Sequence, residues 1–489
     1  MIKLNASNLT LLPPGVERPT YDRTTVRAGV VHVGVGGFHR AHQAMYLDQL
    51  LNSGGSRDWG ICGVGVMDQD LAMRDALRSQ DGLYTLLLKH PDGHCTARVI
   101  GSIIRYLYGP DDPIAVINKI ASPDTCIVSL TITEGGYNFR PDSQEFNFDD
   151  SAIKSDLQPR ASPKTVFGLL AEALRLRRDR GGGPLTVLSC DNIAGNGDVA
   201  RQMLLAFAER KDPEIKTWIE RHVAFPNSMV DRITPVTTEA DREVVRTRFG
   251  IDDLWFVVCE PYVQWVVEDR FMAGRPDLEA VGVQLVADVA PFEMMKLRLL
   301  NAGHQALAYF GYLSGYRFIH ETMKDPAFVD FLTGFMDEEA TPTLAPVPGI
   351  DLDHYKCTLR DRFGNPEIRD ALVRICAYTS DRIPKWILPI IWEQLRAGGP
   401  IKRCAAIVAS WARYAEGVDD RGEPIAVVDH RQRELMSFAA NNRGSPDAFI
   451  NNRAIFGDLA DQQRFAVAYR EALGLLHTRG AQETVEHYR

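Results

Sequence analysis

Three polar side chains stand close together in an otherwise apolar stretch of the chain. They are the amine of Lys296, the amide of Asn301 and the imidazole of His304. An α-helix turns by about 100° per residue, which puts Asn301 about 140° and His304 about 80° around the axis from Lys296. All three then point to one side, although polar groups on an apolar helix are costly without partners. The spacing leaves two interpretations: a reaction site with Lys296 as proton acceptor, or a solvated helix face.

A second amide, Asn192, follows the predicted strand 185–190. In open α/β sheets, residues directly after a strand project into the crevice where ligands bind. Two neutral donors such as Asn192 and Asn301 on one oxygen would stabilise an alkoxide while Lys296 takes the alcohol proton. That role requires a pKa for Lys296 well below the roughly 10.4 of a free lysine, through burial in an apolar pocket. Asn is also common in turns after strands, which leaves a structural role for Asn192 open.

A glycine-rich turn, Gly-Val-Gly-Gly-Phe-His at 34–39, stands between a predicted strand, 29–33, and a predicted helix, 41–51. In that context Gly34 permits a tight turn, and Gly36 lets the backbone approach a pyrophosphate at the helix N-terminus. His39 occupies the third glycine position of the usual GxGxxG pattern. The motif is therefore incomplete, and a glycine turn without a ligand is the alternative.

Two acids, Asp68 and Asp70, follow the second predicted strand, 59–66. A carboxylate at this place binds the ribose hydroxyls of a dinucleotide and repels the 2′-phosphate of NADP, so we expect NAD. The alternative is that both acids only cap the next predicted helix, 71–77.

The elements that must position these residues change in character along the chain. Strands are predicted at 29–33, 59–66, 125–131 and 185–190, with a helix near 164–180, which indicates a parallel sheet covered on both faces. Helices are predicted at 291–314, 325–338, 366–377, 384–397, 400–415 and 459–475. We therefore predict an α/β fold with residues 1–286 as the nucleotide-binding domain and 287–489 as a mainly helical catalytic domain. Prolines predict that 339–365 is a long loop wrapping one domain onto the other.

Composition excludes several classes of partner. The chain of 489 residues has a formal net charge of −9, which argues against nucleic acid and anionic membranes. No apolar run reaches the roughly 18 to 20 residues of a membrane span, and the N-terminus lacks a signal peptide's apolar segment. The eight cysteines are scattered without a CxxC, which predicts free thiols and a cytoplasmic location. Without paired Cys or His ligands, we expect no metal.

Other dehydrogenase chemistries fit less well, because no Tyr-x-x-x-Lys occurs and the Cys/His ligand motifs of zinc alcohol dehydrogenases are missing. The chain resembles the long-chain, zinc-independent mannitol dehydrogenases, a family of polyol-specific dehydrogenases, and the bacterial members in particular. The resemblance covers nearly the whole chain. It rests on the segments 34–43, 129–137, 189–192, 229–235 and 344–351, together with the helix of Lys296, Asn301 and His304.

The resemblance implies a Rossmann-type N-terminal domain, a mainly α-helical C-terminal domain and an active site between them. It implies Lys296 as general base, with Asn192 and Asn301 holding the reacting oxygen. It also implies that His304 helps to hold the substrate and that Glu293 is associated with proton exit. The residues implied at or near the polyol are Asp231, Arg374, Arg382 and Lys385. The predicted cofactor-binding residues are Gly34, Gly36, Gly37, Phe38, His39, Asp70, Thr133 and Glu134.

Some of these residues keep a second interpretation. Asp231 and its neighbour Arg232 also fit a buried structural pair, Arg374 and Lys385 also fit surface charges, and the loop 133–136 also fits a plain turn. Close relatives carry a lysine where this chain has Arg382, a departure that can alter the preferred sugar. They carry an acidic pair where it has Gln69-Asp70, which implies that NADP is less strongly excluded.

The expected activity is the NAD-dependent, reversible oxidation of D-mannitol to D-fructose without a metal. The alternatives within the family are a D-arabinitol or sorbitol dehydrogenase and a hexuronate (fructuronate) reductase, which would need a further cation for the substrate carboxylate. From another class, a non-catalytic nucleotide-binding sensor is possible, and the intact Lys296, Asn192 and Asn301 argue against it. We expect a polyol or ketose as the partner, and a monomer or small homo-oligomer.

Overall fold

The computed structural model of the chain describes residues 1–140, 145–159 and 161–489. It divides into two compact units. The first comprises Met1–His90 and His94–Ala290, and the second comprises Pro91–Gly93 and Pro291–Arg489.

The first unit contains the described strands. They are β1 (Ile2–Lys3), β2 (Val30–Val33), β3 (Ile61–Gly65), β4 (Tyr84–Lys89), β5 (Cys95–Ile100), β6 (Ile103–Tyr108), β7 (Ile127–Leu130), β8 (Leu185–Ser189), β9 (Val223–Ala224), β10 (Ser228–Asp231), β11 (Ile251–Asp252), β12 (Val257–Cys259), β13 (Gln264–Glu268) and β14 (Gln284–Val286). The four strands predicted from sequence correspond to β2, β3, β7 and β8.

A parallel sheet of six strands, in the order β6-β3-β2-β7-β8-β9, forms the centre of this unit. Counted in chain order, its strands lie as 3-2-1-4-5-6, the order of the Rossmann fold. Strands β2, β3, β7 and β8 are buried along their whole length, as expected for a sheet covered on both faces. The α/β, Rossmann-type fold class is confirmed. The remaining strands form small sheets, β12-β4-β5, β10-β13-β14 and β1-β11.

Helices cover both faces of the sheet, and alternate strand residues point to opposite faces. Val31 and Val33 of β2 belong to one hydrophobic core and Val30 to the other. The α-helices of this unit are Gly37–Ala41, Gln43–Asn52, Asp70–Ser79, Pro113–Ala121, Thr133–Gly136, Ser151–Asp156, Val166–Asp179, Asn196–Lys211, Pro213–His222 and Glu239–Phe249. Short 3-10 helices lie at Ala6–Leu11, Arg23–Thr25 and Leu278–Val281.

The second unit is helical throughout its described elements. Its α-helices are Ala302–Leu313, Ile319–Thr322, Pro326–Gly334, Leu352–Phe363, Leu372–Ile375, Thr379–Trp386, Leu388–Ala397, Lys402–Tyr414, Gln432–Ala439, Arg453–Phe456 and Gln463–Tyr488, and Ala290–Met295 leads into it. Two π-helices, Lys296–Asn301 and Phe335–Ala340, and two 3-10 helices, Thr341–Thr343 and Gly457–Asp461, complete the set. Helix 302–313 is its centre, because every residue except Tyr312 is buried. None of the helices in the described ranges is long and apolar enough to cross a membrane.

Two sequence predictions in this unit are wrong. The stretch 339–365 is not one long loop, because it contains the helix Leu352–Phe363. Its prolines at 342, 346 and 348 all precede that helix, and Asp351 caps it by accepting hydrogen bonds from the N–H groups of Asp353 and His354. The helix predicted over 366–377 is reduced to the four residues Leu372–Ile375.

Candidate active site

The glycine turn after β2 leaves the backbone open to a ligand. Gly34 has φ +91, and a Cβ there would lie 2.1 Å from the carbonyl oxygen of Thr131, so only glycine fits. At Gly36 the nearest atom to such a Cβ is the Gly34 carbonyl oxygen, at 3.8 Å. Helix 37–41 begins at the next residue, Gly37, where its N–H groups are available to an anion. This geometry suits a pyrophosphate.

A buried histidine, His32, is linked to the backbone of this turn through the hydroxyl of Thr131. The hydroxyl of Thr131 donates to the carbonyl oxygen of Gly34 at 2.7 Å, so it must accept from Nε2 of His32, which lies 2.9 Å away. Nδ1 of His32 then accepts from the Ser129 hydroxyl at 2.8 Å. Burial lowers the pKa of His32 to about 3, so the ring is neutral, as this chain of bonds requires.

His39 completes the packing beneath the turn. Its ring stacks on that of His32, with the centroids 3.3 Å apart, and it is only 1% exposed. Burial holds the pKa of His39 well below its usual range. Because this imidazole is internal, a ligand can reach His39 only at its backbone. Phe38 is half-buried and stacks on His42.

The two acids after β3 have different surroundings. Oδ2 of Asp70 accepts hydrogen bonds from the N–H groups of Val66 and Met67, at 2.9 and 3.0 Å, and so shapes the turn. Oδ1 of Asp70 has no hydrogen-bond partner within the described residues, which leaves it for a ligand. Asp68 is exposed. Asp70 is thus both a structural and a candidate binding residue.

The loops that follow β7 and β8 are joined by Asp191, whose importance sequence reasoning missed. Its Oδ1 accepts from the N–H of Thr133 at 2.7 Å, and its Oδ2 accepts from the N–H of Ile132 at 3.0 Å. The hydroxyl of Tyr137 also donates to Oδ2, at 2.7 Å. Asp191 is buried, whereas Thr133, Glu134 and its neighbour Asn192 are exposed. The only signal in the sequence was its place beside Asn192, directly after a strand.

Asp231 lies at the end of β10 and is buried. The neighbouring Arg232 donates from Nε to the carbonyl oxygen of Glu260 at 3.0 Å, and from Nη1 to that of Ala41 at 2.7 Å. The guanidinium of Arg232 therefore ties the end of β10 to the helix that follows the glycine turn.

In the second unit, Lys296 and Asn301 are the first and last residues of a π-helix. The N–H of Ala302 donates to the carbonyl oxygen of Leu297, five residues back. A π-helix bonds residues five apart rather than four, so Asn301 is rotated less far around the axis from Lys296 than the α-helical expectation of about 140°. The α-helix predicted over 291–314 is therefore interrupted between two of the candidate catalytic residues, Lys296 and Asn301. Such interruptions are frequent at functional sites.

The amide of Asn301 is buried and its donor is unused. Asn301 is 6% exposed, and its Nδ2 has no hydrogen-bond partner among the residues that the structure describes. A buried unpaired amide is costly, so its presence in a folded protein calls for an acceptor supplied from elsewhere. Lys296 and His304 are equally buried, and the ring of His304 stacks on Phe363, with the centroids 4.3 Å apart. The helix 352–363, missed from sequence, thus orients His304.

An ion pair fixes another face of the π-helix. Nη1 and Nη2 of Arg298 donate to the two carboxylate oxygens of Glu393, at 2.8 and 2.5 Å. Arg298 also donates to the carbonyl oxygen of Thr343. Sequence reasoning missed this pair, because Glu393 is distant in the chain. Glu293 is half-buried in the helix 290–295 that precedes the π-helix.

The predicted substrate cations are partly engaged with their own surroundings. Arg374 forms a bidentate pair with Asp370, at 2.7 and 2.5 Å. Arg382 donates from Nη1 to the carbonyl oxygens of Arg374 and Ile375 and lies over the ring of Trp386. Burial lowers the pKa of Arg382. Lys385 is exposed. Within the described ranges no group of three His, Cys, Asp or Glu side chains is placed to hold a metal ion.

Comparison with known proteins gives consistent matches over both units. Residues 28–280 match the family model of the mannitol dehydrogenase Rossmann domain, and residues 288–476 match that of the mannitol dehydrogenase C-terminal domain. The chain is 46% identical to the mannitol 2-dehydrogenase of Phaeosphaeria nodorum over 491 residues, which cover 100% of this chain and 86% of the relative. It is 46% identical to that of Aspergillus fumigatus over 498 residues, which cover 100% of this chain and 99% of the relative.

Two solved structures are similar over almost the full length. One is Pseudomonas fluorescens mannitol 2-dehydrogenase in a ternary complex with NAD and D-mannitol, with a TM-score of 0.89, 47% identity and coverage of 99% of both chains. The other is a D-sorbitol dehydrogenase in substrate-free form, with a TM-score of 0.91 and 34% identity, which covers 99% of this chain and 100% of that chain.

Proposed function

This chain belongs to the mannitol dehydrogenase family, and from that premise we propose that it is an NAD-dependent polyol dehydrogenase that oxidises D-mannitol to D-fructose and catalyses the reverse reduction. One observation carries the proposal. Lys296 and the unused, buried amide donor of Asn301 are the first and last residues of one π-helix, and this supports their joint use as an amine for a proton and a donor for an oxygen. The family matches, which extend over both units, support it.

The chain's own residues divide the work of oxidising a secondary alcohol. Lys296 takes the hydroxyl proton, and Asn301 and Asn192 are the donors assigned to the oxygen that becomes negative. His304 holds the substrate, and Glu293 provides the route by which the proton leaves Lys296. NAD supplies the hydride acceptor when bound. Two amides and an amine stabilise the developing charge without a metal ion.

The residues of the first unit fit NAD. The Gly34–Gly37 turn admits a pyrophosphate at its open backbone, and Phe38 and His39 continue it. Oδ1 of Asp70 is the acceptor for the ribose hydroxyls, and the exposed loop Thr133–Glu134 adds a contact. Asp231, Arg374, Arg382 and Lys385 are assigned to the polyol.

We further propose residues 1–286 and 287–489 as the two functional domains, a cytoplasmic location, and a monomer or small homo-oligomer.

A second substrate is favoured by a specific observation. The similar D-sorbitol dehydrogenase has a TM-score of 0.91, although its identity of 34% is below the 47% of the mannitol enzyme. Sorbitol is therefore the first alternative. D-Arabinitol follows it, and fructuronate requires that Arg374 or Arg382 give up its present partners for the substrate carboxylate.

Steady-state kinetics of the purified protein test this proposal. Mannitol, sorbitol and arabinitol are compared as substrates with NAD, and fructose and fructuronate with NADH, by following absorbance of NADH. We expect kcat/KM to be highest for mannitol and fructose. A higher value for another pair would transfer the assignment to that pair. Tight NADH binding with no turnover on any of the five compounds would identify the protein as a nucleotide-binding sensor.

A further inference from the structure

Asp191 connects the two loops that follow the neighbouring strands β7 and β8. We propose that Asp191 is a positioning residue, which holds the Thr133–Glu134 loop in the conformation that binds NAD and fixes the adjoining Asn192. This inference rests on the proposed function and deepens it. It assigns a task to a carboxylate that neither binds a ligand nor moves a proton.

The backbone conformation of Thr133 is strained and needs to be stabilised by contacts with other parts of the chain. Thr133 has φ +61, in the left-handed region that a β-branched residue rarely adopts. Its side chain is exposed, so packing does not impose this conformation. The N–H groups of Ile132 and Thr133 instead converge on the two oxygens of Asp191. Charge-assisted hydrogen bonds of this kind can offset the cost of a strained backbone.

Asp191 is itself held from several sides. Its carbonyl oxygen accepts from Nδ2 of Asn196 at 2.9 Å, and its carboxylate accepts from the Tyr137 hydroxyl. Since that hydroxyl gives its proton to Asp191, the Ser189 hydroxyl, 2.6 Å away, must donate to Tyr137. Asn192, one peptide bond away, is exposed in the loop after β8. The same side chain therefore sets the path of the loop after β7 and the place from which Asn192 projects.

The first test is Asp191→Asn, which keeps the size of the side chain. An amide has one accepting oxygen, so its NH2 group would face a backbone N–H. We expect the Kd for NADH, measured by fluorescence titration, and the KM for NAD to rise roughly ten- to hundredfold. We also expect kcat to fall, because Asn192 is no longer fixed.

Asp156→Asn is the matched control. Asp156 is buried and also accepts from two backbone N–H groups, those of Lys164 and Thr165, and from the Thr165 hydroxyl. This variant should lower Tm and leave the Kd for NADH and kcat unchanged. If Asp191→Asn also changes only Tm, Asp191 is merely structural and the proposal is overturned.

A rescue experiment tests the route through Thr133. Glycine adopts positive φ at little cost, so Thr133→Gly added to Asp191→Asn should recover at least severalfold of the lost NADH affinity. A double variant that binds NADH no better than Asp191→Asn would overturn the proposal. If Asp191→Asn does not fold, the proposal is tested with Tyr137→Phe, which removes the hydroxyl that donates to Asp191. A severalfold rise in Kd supports the proposal, and an unchanged Kd contradicts it.

Measurements of NADH binding and mannitol oxidation by the wild-type protein distinguish a failure of this inference from a failure of the proposed function. If it binds NADH and oxidises mannitol while Asp191→Asn behaves like it, only the positioning role fails. If the wild-type protein neither binds NADH nor oxidises any polyol, the proposed function itself fails.

Discussion

Two buried polar groups, His32 beneath the glycine turn of the first unit and Asn301 in the π-helix of the second, differ in their hydrogen bonding. Beneath the turn, His32 has both ring nitrogens bonded within the chain, and after β8 Asp191 has both carboxylate oxygens bonded. In the π-helix, the amide donor of Asn301 has no partner within the described residues. In our proposal the satisfied groups shape the backbone that binds the cofactor, whereas the unsatisfied donor of Asn301 is assigned to the substrate oxygen.

The difference has a consequence for variants. Replacing a satisfied group removes native hydrogen bonds and should reduce stability or cofactor binding. Replacing a group whose partner is the substrate should reduce turnover and leave the free protein as stable as before. Substitutions of Lys296, Asn301, Asp70 and His32 test this distinction.

The largest effect is expected for Lys296→Ala. A general base typically contributes 10² to 10⁴-fold, so kcat should fall by about that factor while the Kd for NADH stays constant. Oxidation by the wild-type protein should accelerate as pH rises and Lys296 loses its proton, and this dependence should vanish in the variant. A small added amine is expected to restore part of the turnover.

Lys356→Ala is the matched control for a buried lysine in the same unit. Lys356 is 7% exposed against 8% for Lys296, and its Nζ is paired with Asp337 and Asp353. We expect a lower Tm and a nearly normal kcat. If Lys296→Ala instead behaved like this control, the π-helix would be structural, and His304 would become the candidate base.

Asn301→Ala should separate activity from stability. Loss of one donor to a developing oxyanion typically costs about 10² to 10³ in kcat. The native Nδ2 has no partner to lose within the described part of the chain, so Tm should be maintained or rise. Asn452→Ala provides the comparison, because Nδ2 of Asn452 donates to Glu434 at 2.8 Å and its loss should lower Tm without affecting kcat. A falling Tm with normal kcat in Asn301→Ala would remove Asn301 from the site.

Asp70→Ala should affect the choice of cofactor. Removing the carboxylate takes away an acceptor for the ribose hydroxyls and the repulsion of a 2′-phosphate. The ratio of kcat/KM for NAD to that for NADP should fall roughly tenfold or more. Tm should decrease slightly, because the N–H groups of Val66 and Met67 lose their acceptor. Asp68→Ala is the control with an exposed side chain, and a larger shift of the ratio in that variant would move the assignment to Asp68.

The parts of the fold that sequence predicted are those with a strong local pattern. The four central strands are continuous apolar runs, because both faces of the sheet are buried, and they were predicted within two residues at each end. Helix 352–363 was missed because its start depends on Asp351 as a cap, and the prolines before it suggested a loop. The π-helix was missed because an insertion of this kind changes hydrogen bonding without changing the apolar pattern of the sequence.

The candidate site shows the same division. Lys296, Asn301 and the glycine turn were visible as residue types at set spacings. The long-range contacts around the candidate residues were not visible, because Asp191 meets Thr133 58 positions away and Arg298 meets Glu393 95 positions away. Such pairings are decided by tertiary packing. That His39 lies under the turn rather than in it could be learned only from the fold, because a buried and an exposed histidine look alike in sequence.

Substitution of His32, beneath the turn, is expected to have the smallest effect on activity at neutral pH. Its effect on stability should be distinct. Burial lowers the pKa of His32 from 6.5 to about 3. As pH falls below 6.5, the unfolded chain binds a proton at His32 and the folded protein does not, so the free energy of unfolding decreases until about pH 3. The total loss from this group is at most about 5 kcal/mol, and His39, whose pKa is also lowered, adds to it.

The free energy of unfolding, measured with urea across this pH range, should therefore decline steeply for the wild-type protein. For His32→Gln it should start from a lower value and decline less steeply. Identical slopes for the two proteins would mean that His32 is protonated in the folded state. The chain of bonds from Ser129 through His32 and Thr131 to Gly34 would then have to run differently from the one described.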